Sequence, residues 1–418
     1  MYLTMSSRLQ CIGCGKSWPL AEERYQCKEC GDLLEVVYDL SVLSKQIDRS
    51  LWEKRRFGVW RYRELIPVGN SRAEITLGEG GTNLYECKRL GEELGLPHLY
   101  VKNEGENPTG SFKDRGMTVG VTRALEIGVR TVVCASTGNT SASLAAYTAR
   151  AGLRCVVLIP TGKIAFGKLA QAMIHGALVV QVQGNFDEAL DLVFQLCRRH
   201  KEVYLLNSVN PFRLEGQKTL AYEVWEQSMG AEPDVLVTPV GNAGNISAIW
   251  KGFNELSSLG FLEKLPRLFG VQAEGAAPIA ESVKKGRKDI IIKNAPETIA
   301  TAIRIGAPIS WKKALRAIYG SNGGAEIVSD EEILTAQRLL ARYEGLFVEP
   351  ASASPIAALK KMLNAGMISR SDRIVCVATG HGLKDPDAVT QTYEPPLEIK
   401  AELSEIEKLL GVVEVPVP

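Results

Sequence analysis

Asn107-Pro-Thr-Gly-Ser-Phe-Lys113-Asp-Arg-Gly116 is the stretch that decides how the rest of the chain is read. A rigid turn element and a flexible glycine are followed by a hydroxyl, an aromatic and a lysine that opens a helical pattern running to about Gly128. The lysine therefore sits at a helix start, where the positive end of the helix dipole disfavours a cation. A lysine so placed is pushed toward the neutral amine, the form that attacks a carbonyl and forms a Schiff base. For these ten residues alone, an exposed lysine beside a turn is the plain alternative.

Two further stretches bear on that choice. Cys134-Ala-Ser-Thr-Gly-Asn-Thr-Ser-Ala-Ser143 follows the apolar run Thr131 to Cys134 and leads into the small-residue helix pattern of Leu144 to Arg150. Val237-Thr-Pro-Val-Gly-Asn-Ala-Gly-Asn-Ile246 lies at the end of a second apolar run, Asp234 to Val240, and also opens a helix. Both read as strand, small-residue turn, helix. Gly241-Asn242-Ala243-Gly244-Asn245 has the build of a phosphate cup, because glycines let the backbone approach closely and helix N-terminal amides face an anion. It lacks the Gly-Lys-Ser/Thr ending of a Walker loop and the spacing of a dinucleotide fingerprint. A phosphate cup together with a reactive lysine points to pyridoxal phosphate, which carries an aldehyde at one end and a phosphate at the other.

Asn107 to Gly116, Ser136 to Asn139, Gly241 to Asn245 and Thr379-Gly-His-Gly-Leu-Lys-Asp-Pro386 together closely resemble the threonine synthase family. That family lies within the tryptophan synthase β-like, fold type II class of pyridoxal phosphate enzymes. The resemblance runs from roughly Arg72 to Asp387, about three quarters of the chain. Its discriminating parts are the Thr-Gly-x-Gly-Leu-Lys-Asp-Pro ending and the asparagine-rich cup. The resemblance implies that Lys113 bonds the cofactor aldehyde and then shuttles protons at the α, β and γ carbons of the substrate. It implies that Asn139 meets the cofactor's phenolic oxygen, that Gly241, Asn242, Ala243, Gly244 and Asn245 hold its phosphate, and that Thr379 faces the pyridine nitrogen. A hydroxyl stabilises a proton on that nitrogen far less than a carboxylate does, which keeps the ring largely neutral and restrains transamination.

For the substrate, the resemblance assigns Asn207, Arg213 and Ser136 to a phosphate group. Arg213 offers a planar fork to a phosphoryl group; without the resemblance it reads as a surface arginine at a helix start. Ser136, Thr137 and Thr140, in a small-residue loop with Gly138 and Asn139, suit the substrate carboxylate. The implied reaction is O-phospho-L-homoserine plus water giving L-threonine and phosphate. The nearest rival is cysteate formation from O-phosphoserine and sulfite or another β-replacement. A serine or threonine dehydratase is more distant, and a catalytically silent scaffold using its cysteine knuckles to bind a partner belongs to another class. The retained Lys113, Asn139 and Thr379 argue against the scaffold.

The rest of the chain bounds these readings. A chain of 418 residues can bury a large core and suggests two or three domains. With 49 Lys and Arg against 48 Asp and Glu, charge gives no reason to expect nucleic acid or an anionic membrane as partner. Basic runs such as Arg198-Arg199-His200-Lys201 read as solvated faces. The sequence shows no signal-peptide pattern, no bilayer-spanning apolar stretch and no internal repeat, so a soluble cytoplasmic enzyme is expected. Cys11-Ile-Gly-Cys14 and Cys27-Lys-Glu-Cys30 are paired knuckles, with Gly15 and Gly31 after each second cysteine. Such a glycine lets the backbone turn so that amides point at thiolate sulfurs, as a structural zinc ribbon requires. A closed zinc site is the favoured reading, and a metal-free knuckle or a disulfide pair stay open. The scattered Cys87, Cys134, Cys155, Cys197 and Cys376 read as reduced core residues.

From Asp48 to Arg72, Trp52, Phe57, Trp60 and Tyr62 interleave with arginines, which suits a segment packing on the enzyme body more than one binding RNA. Thr76 to Thr82 forms a glycine-rich turn resembling the family's opening loop. Strands are expected at Leu99 to Lys102, Thr131 to Ala135, Arg154 to Ile159, Leu178 to Val182, Val203 to Leu206, Asp234 to Val240, Leu268 to Ala273, Phe347 to Glu349 and Ile374 to Ala378. Helical patterns lie between most of them, among them Phe186 to His200 and Asp330 to Tyr343, the latter opened by a Ser329-x-x-Glu332 capping box. Continuous apolar strands joined by helices make an α/β fold with parallel-rich sheets covered on both faces. The family's two lobes place a small domain at 112–211 and a large one at 48–111 and 212–393. A zinc-ribbon-like extension spans 1–47 and a C-terminal extension 394–418, with a short helix at Glu402 to Leu410. Family likeness suggests a homodimer. The histidines, including His381, are assigned no chemistry.

Overall fold

A computed structural model describes residues 7–22, 24–68, 74–161, 166–184, 186–228, 230–390 and 396–410. The chain opens with an antiparallel sheet of β1 (Ser7–Cys11), β2 (Ser17–Pro19) and β3 (Leu34–Tyr38), in the order β2-β1-β3. Every second residue of β1 and β3 is buried, so one face of this small sheet packs inward. Leu9, Leu34 and Val36 join a core that includes Ile249, Phe253 and Ile318. Polar bonds add to this: Lys313 Nζ donates to the Leu34 carbonyl at 2.8 Å, and Lys312 pairs with Asp32 at 2.6 Å.

The aromatic segment that follows lies inside. Trp52 and Tyr62 are fully buried and meet edge to face at 5.0 Å, while Arg61 pairs with Glu226 at 2.9 Å. The packing reading of this segment therefore holds for the residues up to 68; its end, 69–72, lies outside the described residues.

The remaining strands are β4 (Leu84–Glu86), β5 (Leu99–Asn103), β6 (Thr131–Ala135), β7 (Arg154–Pro160), β8 (Leu178–Val182), β9 (Val203–Leu205), β10 (Val235–Pro239), β11 (Arg267–Ala273), β12 (Gly324–Val328) and β13 (Ile374–Ala378). They form two sheets. The larger runs β12-β11-β10-β13-β5-β4 and is parallel except for β4 at its edge; the smaller runs β8-β7-β6-β9 and is wholly parallel. β10 and β13 are buried at every position, as a strand covered on both faces should be. The carboxyl ends of β6, β9, β10 and β13 lead directly to Ser136, Asn207, Gly241 and Thr379. This is the side of a parallel sheet where ligands bind.

The capping box at Ser329 and Glu332 is formed and opens the helix Asp330–Glu344. One expected strand does not form. Phe347 to Glu349 is not a strand, making only an isolated bridge between Val348 and His381, because Pro350 starts a helix at once. The strand β12 was not expected, since its Gly-Ala-Glu opening has no continuous apolar run.

The helices Lys113–Glu126 and Pro211–Gln217 meet backbone to backbone. A Cβ on Gly216 would lie 1.7 Å from the Arg115 carbonyl oxygen, and one on Gly116 would lie 2.9 Å from the Arg213 carbonyl oxygen. Glycine at both positions sets the spacing between Lys113 and Arg213. Arg115, two residues after the lysine, is fully buried and forks onto Glu104 (2.6 and 2.7 Å) and Glu223 (2.6 and 2.7 Å). Burying these charges is tolerable only because they are paired; removing one partner of such a set typically costs about 3–5 kcal/mol. The network thereby pins the first turn of the lysine's helix. The body up to Asp385 is one compact unit, and the residues after it contribute two short helices, Asp387–Thr390 and Leu403–Leu410. Among the described residues no helix is long and apolar enough to cross a membrane.

Candidate active site

Lys113 is the first residue of its helix, and Phe112 before it offers no side-chain cap. The lysine is half-buried, with its ammonium over the Phe112 ring at 3.9 Å. Its pKa is pushed down to about 7, first by burial, then by the positive charge of Arg213, with Glu349 opposing and Lys168 adding to the fall. The expected direction is right, but burial and neighbouring cations dominate where the helix dipole was expected to act. An amine of this kind is partly neutral at neutral pH and is primed to attack a carbonyl. Uptake of pyridoxal phosphate by the cofactor-free protein should accelerate as pH rises toward about 7 and level off above it, because only the deprotonated amine reacts. Growth of the cofactor's visible absorbance after mixing reads this directly, and a rate that is flat or falling across that range would contradict it.

The chain entering this helix is sewn to the end of β13. Phe112 N–H donates to the Thr379 carbonyl (3.0 Å), Ser111 bridges Gly380, and His381 N–H donates to the Gly110 carbonyl (2.9 Å). Lys113 and Thr379 are thus held together through main chain. The Thr379 hydroxyl lies 2.9 Å from that of Ser352. His381 uses Nδ1 to accept from Leu383 N–H, a local cap.

The Gly241-to-Asn245 turn crosses from β10 into the helix Gly244–Ser258, with Ala243 in the left-handed region at φ 66°. A non-glycine residue in that conformation stores strain, which marks sites where backbone placement matters. Asn245 Oδ1 and Asn139 Oδ1 are buried and have no partner among the described residues. Asn242 is less free than expected: its Oδ1 accepts from Ile309 N–H at 3.4 Å and its carbonyl accepts from Ser310 N–H at 3.2 Å.

Asn139 begins the helix Asn139–Ala151, whose N-cap Gly138 has no side chain to satisfy the first amides. Ser136 Oγ accepts from Gly138 N–H at 3.2 Å, and Thr137 and Thr140 complete the loop. Across from it, Arg213 is 2 % exposed; one Nη donates to the Leu206 carbonyl (3.2 Å) and Nε has no partner among the described residues. Among the described residues no carboxylate pairs with it, and burial lowers its pKa to about 10. Asn207 spends its amide on the Ala135 main chain, accepting at 2.9 Å and donating at 2.8 Å, so it continues the β6–β9 ladder as much as it faces a ligand.

One cavity of ≈ 770 Å³ brings together Lys113, Ser136, Thr137, Asn139, Thr140, Asn207, Arg213, Gly241 to Asn245 and Thr379. The orphaned buried atoms, the uncapped helix starts and the lysine fit an aldehyde-bearing phosphate cofactor with an anionic substrate beside it.

The cysteine knuckles form a separate cluster. The four sulfurs of Cys11, Cys14, Cys27 and Cys30 lie within 4.8 Å of one another, with Cys11–Cys30 at 3.4 Å and Cys14–Cys27 at 3.6 Å. These separations suit the edges of a tetrahedron with metal–sulfur bonds of about 2.3 Å. Amides of Gly13, Cys14 and Glu29 reach the sulfurs of Cys11 and Cys27, and those of Lys16 and Asp32, each next after one of the glycines, reach Cys14 and Cys30, while Gly15 and Gly31 themselves donate to the carbonyls of Cys11 and Cys27. The glycines act through their positive φ of 73° and 74°, not through their amides.

A family model described as pyridoxal-phosphate dependent enzyme matches residues 75–380. The threonine synthase of Methanocaldococcus jannaschii is 59% identical over 401 residues, covering 96% of this chain and 98% of that protein. The chain belongs to the threonine synthase family. A second member, from Methanosarcina acetivorans, is 53% identical over 402 residues, 96% of this chain and 98% of that one. At the level of fold alone, maize serine racemase superposes with a TM-score of 0.62 at 20% identity over 79% of this chain and 93% of its own. Membership of the threonine synthase family disfavours the dehydratase, the β-replacement enzyme and the silent scaffold.

Four parts of this threonine synthase family site go beyond the sequence reading. The stretch from Ile292 to Ile309 lines the cavity with Thr301, Arg304 and Ile305 among others. Its available signal was length, since an irregular stretch that long within a compact domain is usually functional. Glu349 and Gln217 also face the cavity, and Lys168 lies against Glu349 at 3.2 Å. Nothing local in the sequence marks them.

Proposed function

We infer that the chain converts O-phospho-L-homoserine and water to L-threonine and phosphate. Its family supports this, and the observation that carries it is a buried guanidinium, without a carboxylate partner among the described residues, in the same cavity as a lysine poised near neutrality. Bound in the cavity, pyridoxal phosphate supplies an electron sink for the carbanions left when protons are removed. Lys113 acts as the base at the α carbon and carries protons at the β and γ carbons. Gly241, Asn242, Ala243, Gly244 and Asn245 receive the cofactor phosphate at a helix N-terminus, Asn139 donates to its phenolic oxygen, and the Thr379 hydroxyl faces its ring nitrogen. Ser136, Thr137, Thr140 and the free amides beside them take the substrate carboxylate. Arg213, with Asn207 and Ser136, holds the substrate phosphate and its charge as the γ carbon–oxygen bond breaks. Water then adds at the β carbon.

The test is phosphate release from O-phosphohomoserine beside O-phosphoserine with and without sulfite, with products identified. Threonine and phosphate from the first substrate alone support the reading. Cysteate from the second would move the activity to β-replacement while keeping the fold.

We propose also that the four thiolates hold one structural zinc in a ribbon-like extension over 1–47, that the two lobes divide at 112 and 211, that 394–418 is a C-terminal extension, and that the enzyme is a cytoplasmic homodimer. Four sulfur ligands leave no open position for chemistry. Stripping the metal with a chelator should lower the melting temperature by several degrees while the cofactor absorbance persists, since the knuckles lie outside the cavity. An unchanged melting curve, with no zinc found by elemental analysis, would return the knuckles to a metal-free state.

A further inference from the structure

Glu349 has no part in the roles above, yet it is 1 % exposed and faces the cavity. Its Oε1 accepts from Asn139 Nδ2 at 3.0 Å, with Oε2 at 3.2 Å, and Oε2 lies 3.2 Å from Lys168 Nζ. Lys168 is likewise 1 % exposed. It also donates to Thr301 Oγ1 at 2.9 Å and sits 3.4 Å from Asp385 Oδ2, which itself accepts from Thr301 at 2.6 Å. One turn along the helix Phe166–Ile174, Gln171 accepts from Lys384, whose ammonium also donates to the Thr109 carbonyl at 2.8 Å.

The contacts of Asn139, Lys168 and Gln171 with their partners cross between the sheets. Asn139, Lys168 and Gln171 come from the elements around β6, β7 and β8; Glu349, Thr301, Lys384 and Asp385 come from those around β10, β11 and β13. A buried ion pair adds little net stability, because desolvation offsets its attraction, and one well-supported use of such a pair is to specify position. Here the position specified is that of Asn139. A carboxylate accepts and never donates, so it draws the amide nitrogen toward itself and leaves the amide one allowed orientation. That nitrogen has two protons, and Glu349 uses one side of it.

We propose that Glu349, held by Lys168 from across the lobe boundary, is a positioning residue that fixes the Asn139 amide for its contact with the cofactor. Joining the two lobes then completes the cofactor site, because the counter-charge of Glu349 arrives on the small-sheet side together with Asn139. This inference rests on the reading of Asn139 as a cofactor contact given above.

The test compares Glu349→Gln, Lys168→Met and the double variant, each loaded with pyridoxal phosphate. The first readout is the visible absorption maximum of the loaded enzyme without substrate. The second is the split between kcat and KM for phosphate release. Both single variants should load cofactor, shift the absorption maximum, and lose about tenfold in kcat with a smaller change in KM, the scale of one charge-assisted hydrogen bond. The double variant should fall no further than the worse single one, because each removes the same pair. Unshifted spectra in both single variants, or losses that multiply in the double, would overturn the proposal. Lys168→Met leaves Glu349 and its backbone in place, so it decides the matter should Glu349→Gln fail to fold. The spectral arm needs no substrate: a wild-type enzyme inactive on O-phosphohomoserine would sink the proposed function while the spectra still judge Glu349.

Discussion

Lys113→Ala is expected to abolish threonine formation, lowering kcat by at least about 10³-fold, since general acid–base action alone is worth roughly 10²–10⁴ and the covalent cofactor link is lost as well. The same side chain is assigned both tasks, so one truncation removes both. The fold should survive. Lys113 is half-buried, packs over Phe112, and among the described residues is paired with no carboxylate, so its loss leaves no charge stranded. The helix that carries it stays anchored by Arg115 on Glu104 and Glu223 and by its glycine contact with the Pro211–Gln217 helix. The variant should therefore melt near the wild-type temperature, bind pyridoxal phosphate reversibly through the cup, and lack the absorbance of lysine-bound cofactor. A small primary amine added in excess should restore part of the base function. Normal turnover by the variant would remove Lys113 from the mechanism, and a collapsed melting temperature would mean that the lysine is structural.

How much of this site was legible in the chain depends on where each residue's neighbours come from. Lys113, Asn139, the Gly241-to-Asn245 cup and Thr379 each sit in a short stretch that also contains its own turn, so local sequence carries both the residue and its geometry. The strands that aim them were legible for a related reason: β6, β10 and β13 are apolar at all positions but Thr131 and Thr238, because both faces are covered. Glu349 and Lys168 are the opposite case. Each is a charged residue with an ordinary local sequence, and only the fold brings them to 3.2 Å. Asn207 shows a third outcome, in which the right residue lines the cavity while its amide is largely committed to the Ala135 main chain. For Lys113 the direction of the pKa shift was readable from position, but its main causes were not, because burial and the charge of Arg213 are tertiary facts.

Arg213→Met should produce the other large effect, and its several consequences have different signs. Methionine keeps much of the bulk and removes the charge. With O-phosphohomoserine, kcat/KM should fall by about 10²–10³-fold, the range expected when one partner of a buried charge-assisted contact of about 2–5 kcal/mol is lost, with KM rising for the substrate and for inhibition by inorganic phosphate. Stability should move the other way. In the absence of phosphate Arg213 is a buried cation without a carboxylate among the described residues, and replacing an uncompensated buried charge by an apolar side chain relieves its desolvation cost. The variant should melt at or above the wild-type temperature in phosphate-free buffer. With pyridoxal phosphate loaded, so that the Gly241-to-Asn245 cup is filled, phosphate should raise the melting temperature of the wild type but not of the variant, because only the wild type then binds the free anion in its folded state. The third consequence falls on Lys113. The charge of Arg213 disfavours protonation of the lysine and, after burial, is the largest cause of its fall to about 7. Without it the ammonium persists to higher pH, so the pH midpoint for cofactor uptake should move upward in the variant. Arg213→Lys should restore part of that lysine shift, because it returns the charge, while recovering little of the substrate affinity, because a single ammonium lacks the planar fork. An Arg213→Met enzyme with wild-type KM, a phosphate-dependent melting temperature and an unmoved midpoint would place the substrate phosphate elsewhere in the cavity, with Arg304 the next cation to replace.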